Sequence, residues 1–212
     1  MAKKKIPNYT VIKDTREQRG WIFEKDDRDR CSGMIVDGLK TGDYTLQGFE
    51  HDVCVERKMS VEEVANNLGK KKKAFDAEMK RMNEFSFKYI ILEFPITELI
   101  DYPLHLLDEQ EKELYYLYKK QDIDKFCKLY EQLYDVPYYN EEEPPESVEL
   151  PRLTKFRIAK ERKVTGKYLL RALMEYQTWY GINILFCDNK KNAFKVTQSI
   201  FKRLNEMFHG QD

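Results

Sequence analysis

The sequence predicts a three-layer α/β domain, on three observations. Short runs rich in β-branched and aromatic residues recur up to residue 58, an apolar run at 87–94 follows a stretch of helical periodicity, and a helix–strand–helix pattern closes the chain. Strands that come first and then alternate with helices place a sheet between helical layers.

Residues 9–14 read as the first strand, and the polar stretch 17–32 as a loop. Residues 34–39 and 44–47 read as short strands around a turn at Thr41 and Gly42. Residues 53–58 form the next strand, whose alternation sends Val53 and Val55 to one face and Glu56 and Lys58 to the other. Ser60 then fits an N-cap, with Glu62 and Glu63 in the first helical turn. Val61, Val64, Leu68, Phe75, Met79 and Met82 recur at helical spacing, as one long helix or as two broken near Gly69. The run 87–94, ended by Pro95, is the strongest candidate for a central buried strand.

Residues 96–151 read as an insertion. Its first part is charged, tyrosine-rich and helical in pattern, with Asp122 able to cap the second half. Residues 135–151, with acids clustered at 141–149, read as exposed loop. Tyr168, Leu169, Ala172, Leu173 and Tyr176 then share one helix face, 182–187 reads as a strand, and Val196, Ile200, Leu204 and Met207 fit a final helix. The domain expectation is one unit over 1–212, with a core of about 8–95 and 152–208.

No apolar run is long enough to span a membrane, and the basic start at Lys3, Lys4 and Lys5 has no apolar segment behind it, which predicts no secretory signal. Cys31, Cys54, Cys127 and Cys187 have no paired spacing that would suggest a zinc site, and scattered single cysteines suit a reducing cytoplasm. With 37 basic and 37 acidic side chains, the chain does not hold nucleic acid by bulk charge; a local basic face stays open. Lys70, Lys71, Lys72 and Lys73 form one such run, which is either a solvated helix face or a phosphate-contacting patch, and 152–167 is a second with the same two readings. The tyrosines at 115–139 read as packing residues or as a stacking platform for single-stranded bases.

Phosphodiester hydrolysis needs a hard cation held by oxygens, an aimed water and relief of the charge that develops on phosphoryl oxygens. Asp43 follows a glycine turn at a strand start, and Glu56 and Lys58 share a face of the next strand. If those strands form a hairpin, two carboxylates and an amine converge; the alternative is an exposed hairpin with ordinary surface charges. The tripeptide Glu-x-Lys is uninformative alone, because it recurs at 78–80 in a predicted helix and at 161–163 in a basic stretch. Only the copy at 56–58 is led by an apolar strand and a Gly-Asp turn.

Asp14, Arg16 and Glu17, then Gly42 and Asp43, then Glu56, Arg57 and Lys58, resemble the signature of the XPF/Mus family of structure-specific endonucleases. The resemblance covers about 8–95 and 165–208 and implies a restriction-endonuclease-like fold, a central mixed sheet flanked by helices. Carried over, it implies that Asp43 and Glu56 ligate Mg²⁺ or Mn²⁺ with the Arg57 carbonyl, that Lys58 positions and activates water, and that Asp14 adds a further carboxylate. Arg16, Glu17 and Arg57 would support the site or bind phosphate. The acid four residues after the lysine is Glu62, where the family has Asp. The tandem helix–hairpin–helix module found after the nuclease in many members is not seen before the chain ends at Asp212.

The expected activity is a divalent-metal-dependent DNA endonuclease acting on flaps, forks or junctions in replication, recombination or repair, leaving 5′-phosphate and 3′-hydroxyl ends. A homodimer and a cytoplasmic, nucleoid-associated location in a bacterial or phage-infected cell complete that expectation. Two rivals are an inactive nuclease-fold DNA-binding or scaffolding protein, and a sequence-specific restriction or defence nuclease.

Overall fold

The computed structural model describes residues 6–135 and 164–210. The acidic run, most of the basic stretch at 152–167, Tyr138, Tyr139 and the Glu-x-Lys copy at 161–163 lie outside them. The chain divides into two compact units, 1–99 with 167–212, and 100–166.

The first unit is built on six strands: β1 (Tyr9–Asp14), β2 (Cys31–Asp37), β3 (Tyr44–Leu46), β4 (Val53–Lys58), β5 (Phe87–Leu92) and β6 (Asn183–Phe186). Their order is β2-β1-β3-β4-β5-β6. The sheet is mixed: β1 runs parallel to β2 and antiparallel to β3, β3 antiparallel to β4, and β4, β5 and β6 parallel. The sequence suggested that β2 and β3 flank one turn; instead β1 lies between them. Ile35 and Val36 on β2 are exposed, as suits an edge strand with little face to bury.

The six residues of β4 are all buried. Val53 and Val55 join a core with Tyr9, Val11, Tyr44, Leu46 and Ile91, closed by Ala193, Phe201 and Leu204 of the last helix, α7 (Lys190–Gly210). The segment read as a polar loop contributes Trp21 and Phe23 to this core. Phe23 packs against Phe194 and Phe201 with ring centroids 4.9 and 5.7 Å apart. Two aromatics without periodicity among charged residues gave no sign of burial.

The opposite face carries α1 (Val61–Leu68), α2 (Lys72–Met82) and α6 (Gly166–Tyr180). The helical stretch does break at Gly69, where the α1 cap N–H returns to the Ala65 carbonyl. Ser60 caps α1 by accepting from the Glu63 N–H. Tyr176 of α6 donates to Asp76 of α2 at 2.5 Å and sets its ring edge against Phe75. The result is helix–sheet–helix layering, in which even-numbered β4 residues face α1 and α2, and odd-numbered ones face α7.

The chain continues through α3 (Ile96–Asp101), and the second unit holds α4 (Glu109–Lys120) and α5 (Ile123–Tyr134). Asp108 forms a capping box with Glu111, and Asp122 caps α5. Leu104, Leu107, Leu114, Tyr115, Phe126 and Tyr130 form its core, with Tyr118 and Tyr134 packed against it, so these tyrosines are packing residues; Tyr116 is exposed. Among the described residues, no helix is long and apolar enough to cross a membrane.

Phe201 has no solvent exposure. Phe201→Ala is expected to destabilise the protein by about 3–5 kcal/mol, read by urea denaturation. Trp179→Ala, at an exposed position, is expected to stay within about 0.5 kcal/mol of the parent.

Candidate active site

Asp43, Glu56 and Lys58 come together because β3 and β4 pair antiparallel directly after Gly42. Tyr44 sits opposite Val55, and the Asp43 N–H extends the ladder to the Val55 carbonyl at 2.8 Å. Gly42 makes this possible. Its φ is +80°, and a Cβ there would lie 2.6 Å from the Cys54 Sγ and 3.1 Å from the Val55 carbonyl oxygen.

The Asp43 Oδ2 accepts the Arg57 backbone N–H at 2.7 Å. Glu56 points to the same face as Asp43, and its Oε1 lies 2.5 Å from the Lys58 Nζ. Burial pushes the Asp43 carboxyl well above the usual carboxylate range; Glu17 and Glu78 add to the shift, against the Arg57 N–H and Lys58. Burial likewise pushes Glu56 up; Asp43 and Glu78 add to this, and Lys58 opposes it. For Lys58, burial alone would lower the pKa, but Glu56, Glu63 and Asp43 hold it above its ordinary value. Lys58 is therefore a fixed cation at neutral pH, able to orient water and offset negative charge.

Glu63 is the first-turn acid that bonds Lys58, at 3.2 Å, while its other oxygen accepts the Met59 N–H at 3.0 Å. The resemblance pointed to Glu62, which is half-buried on the same turn. Glu78 was also passed over, because its Glu-x-Lys copy lies on a helix. Yet Phe75, one turn before it, sits 5.4 Å from the Lys58 ammonium, and Arg81, one turn after it, donates to the Thr41 hydroxyl at 3.0 Å. Glu78 thus lies on the α2 stripe that faces the acids, and its charge is felt by Asp43 and Glu56. The spacing 75, 78, 81 was the signal that could have found it.

Asp14, for which the resemblance implied a further metal ligand, has both carboxylate oxygens engaged by protein donors. It is buried beside Asp43, to whose carbonyl it donates its N–H. Both of its carboxylate oxygens are taken: Oδ1 accepts the Arg16 N–H at 2.8 Å and Nε at 2.7 Å, and Oδ2 accepts the Leu39 N–H at 2.7 Å and the Arg16 Nη2 at 3.1 Å. Burial alone would raise its pKa, but these donors hold it below the usual value. Asp14 is a loop fastener, and Arg16, with a largely exposed side chain, covers it. Arg57 is buried on the other face, bonded to Glu93 and, at 3.4 Å, to Glu17. Lys70, Lys71 and Lys73 are exposed and make no ion pair among the described residues; Lys72 bonds Asp76 at 2.9 Å and lies over the Tyr176 ring.

Among the described residues no three His, Cys, Asp or Glu side chains are grouped as ligands. Asp43 and Glu56 alone are a donor set of two hard oxygen groups whose repulsion Lys58 only partly offsets. That composition fits Mg²⁺, which keeps several waters and takes one or two carboxylates.

The ERCC4 domain family model matches residues 13–200. No curated protein matches the chain. Among solved structures, the chain is similar to XPF from Aeropyrum pernix, at 18% identity and a TM-score of 0.51, over 96% of this chain and 64% of that one. A structure of XPF from Aeropyrum pernix in complex with DNA matches at 16% identity and a TM-score of 0.47, over 97% and 68%. These likenesses are ones of fold.

A carboxyl whose folded-state pKa is raised stabilises the fold fully at pH values below its ordinary pKa. That contribution is lost as pH rises through the raised value. Asp43→Asn keeps an oxygen for the Arg57 N–H and removes the charge. In metal-free protein it is expected to raise the Tm near about pH 8 and leave it almost unchanged near about pH 4. An equal change at both pH values would contradict the shift.

Proposed function

Because the chain belongs to the ERCC4 domain family, we propose that it is a metal-dependent DNA nuclease that hydrolyses phosphodiester bonds at Asp43, Glu56 and Lys58. The observation that carries this is the pair of buried carboxylates on one face of the β3–β4 hairpin, with a lysine held charged beside them. A site built only for stability would not place two acids together where burial penalises both.

Asp43 and Glu56 would hold the cation, which supplies Lewis acidity toward a phosphate oxygen and lowers the pKa of water. The Arg57 N–H fixes the Asp43 oxygen it bonds, leaving the other free. Lys58, tethered by Glu56 and Glu63, aims its remaining N–H at water or a phosphoryl oxygen and offsets the charge that develops there. Phe75 under the ammonium limits its hydration. Lys70, Lys71 and Lys73, at the start of α2, are the proposed phosphate contacts beside the site. The motif resemblance extends the proposal to branched DNA: flaps, forks or junctions. The presence and convergence of Asp43, Glu56 and Lys58 speak against an inactive scaffold.

The test is a panel of labelled linear duplex, single strand, flap, fork and four-way junction, with Mg²⁺ or Mn²⁺. Wild type is expected to cut a branched substrate, and Asp43→Ala and Glu56→Ala to stay folded, bind DNA and cut nothing. Binding without cutting of any substrate would favour the scaffold; cutting of intact duplex at one sequence would favour a restriction-type enzyme. Replacing Lys70, Lys71 and Lys73 with Ala is expected to lower the slope of log affinity against log salt by about 0.9 per phosphate contact. Lys72→Ala is expected to act on stability instead, through Asp76 and Tyr176. An unchanged salt slope in the triple variant would return the run to a solvated face.

A further inference from the structure

Each acid of the site is followed by a residue on the opposite face of the sheet: Asp43 by Tyr44, and Glu56 by Arg57. Both of these close on Trp21. The Trp21 ring stacks on Tyr44 with centroids 5.0 Å apart, and its backbone N–H donates to the Tyr44 hydroxyl oxygen at 2.5 Å. The Arg57 guanidinium lies 5.5 Å from the Trp21 ring. Glu93, just past β5, ties the three together. Its Oε1 accepts the Trp21 Nε1 at 2.7 Å and the Arg57 Nε at 2.8 Å, and its Oε2 accepts the Arg57 Nη2 at 2.7 Å. All four side chains are buried. Even the approach is tight: a Cβ at Gly20 would lie 1.9 Å from the Tyr44 hydroxyl oxygen.

A buried guanidinium bonded at both edges and stacked on an indole has no second place to go. Its backbone is fixed with it, and the Arg57 N–H is the donor that holds Asp43, at 2.7 Å. We propose that Trp21 and Glu93 are positioning residues that act through the sheet. By clamping Tyr44 and Arg57 from behind, they set the spacing of Asp43 and Glu56 and so the affinity of the site for a divalent cation. This rests on the nuclease reading, since the cation is the one proposed there. Groups that orient a ligand from outside its contact shell commonly matter almost as much as the ligand itself.

The experiment compares full-length wild type, Trp21→Phe, Glu93→Gln and Phe201→Ala. Mn²⁺ affinity is read by calorimetry without DNA, and kcat and KM are read with the substrate that wild type cuts. Trp21→Phe keeps an aromatic ring in the stack and loses the indole N–H together with part of the ring's volume; it decides the matter if Glu93→Gln does not fold. The expected result is a loss of about tenfold in Mn²⁺ affinity for both clamp variants, with kcat reduced and the KM for DNA unchanged. Phe201→Ala, a loss of packing in the same core, should lower stability and leave Mn²⁺ affinity alone. Unchanged Mn²⁺ affinity and kcat in folded Trp21→Phe would overturn the clamp while leaving the nuclease reading intact. A wild type that neither binds Mn²⁺ nor cuts DNA would overturn both.

Discussion

Two carboxylates held side by side where water is scarce are the constraint around which the first unit is arranged. The antiparallel closure of β3 onto β4 after Gly42 holds Asp43 and Glu56 side by side, and Asp43 makes Glu56 harder to ionise. Such a pair raises the free energy of the fold unless a positive charge sits between its members. Lys58 meets part of that need, and Glu63 spreads its charge into the first turn of α1. What is left over is an unmet demand for positive charge, which is the property a cation site needs.

The two faces of the sheet divide the work. On the acidic face, α1 and α2 bring Glu63, Phe75 and Glu78 toward Lys58 and the carboxylates. On the other, Trp21, Tyr44, Arg57 and Glu93 form a buried network whose members satisfy one another. Strand alternation connects them, because consecutive residues on β3 and β4 serve opposite faces. A side chain that never meets substrate can in this way govern one that does.

Local patterns were legible in the sequence where a residue's neighbours along the chain decide its fate. The strands at 9–14 and 53–58, the break at Gly69 and the caps at Ser60 and Asp122 all depend on local chemistry. The Gly-Asp turn before an alternating strand was enough to bring Asp43, Glu56 and Lys58 to one face. What stayed hidden depends on distant partners. Trp21 and Phe23 sit in a charged, aperiodic stretch, and only Tyr44, Glu93 and the α7 aromatics give them a place. The placement of β1 between β2 and β3 is a choice of pairing that no local pattern encodes. Asp14 belongs to the right motif, yet Arg16, two residues on, captures it. The bond of Glu63 to Lys58, and the position of Glu78, follow from how α1 and α2 lie across the sheet.

The central claim is that Asp43 and Glu56, whose hold on a proton burial strengthens, are the groups that bind a divalent cation. Calorimetric titration of Mn²⁺ into the DNA-free protein at neutral pH, repeated in buffers of different ionisation enthalpy, counts the protons released on binding. The account predicts binding with net proton release that shrinks as the pH is raised past the elevated carboxyl values. Mn²⁺ binding with no proton release at any pH, or no binding at all, would contradict it.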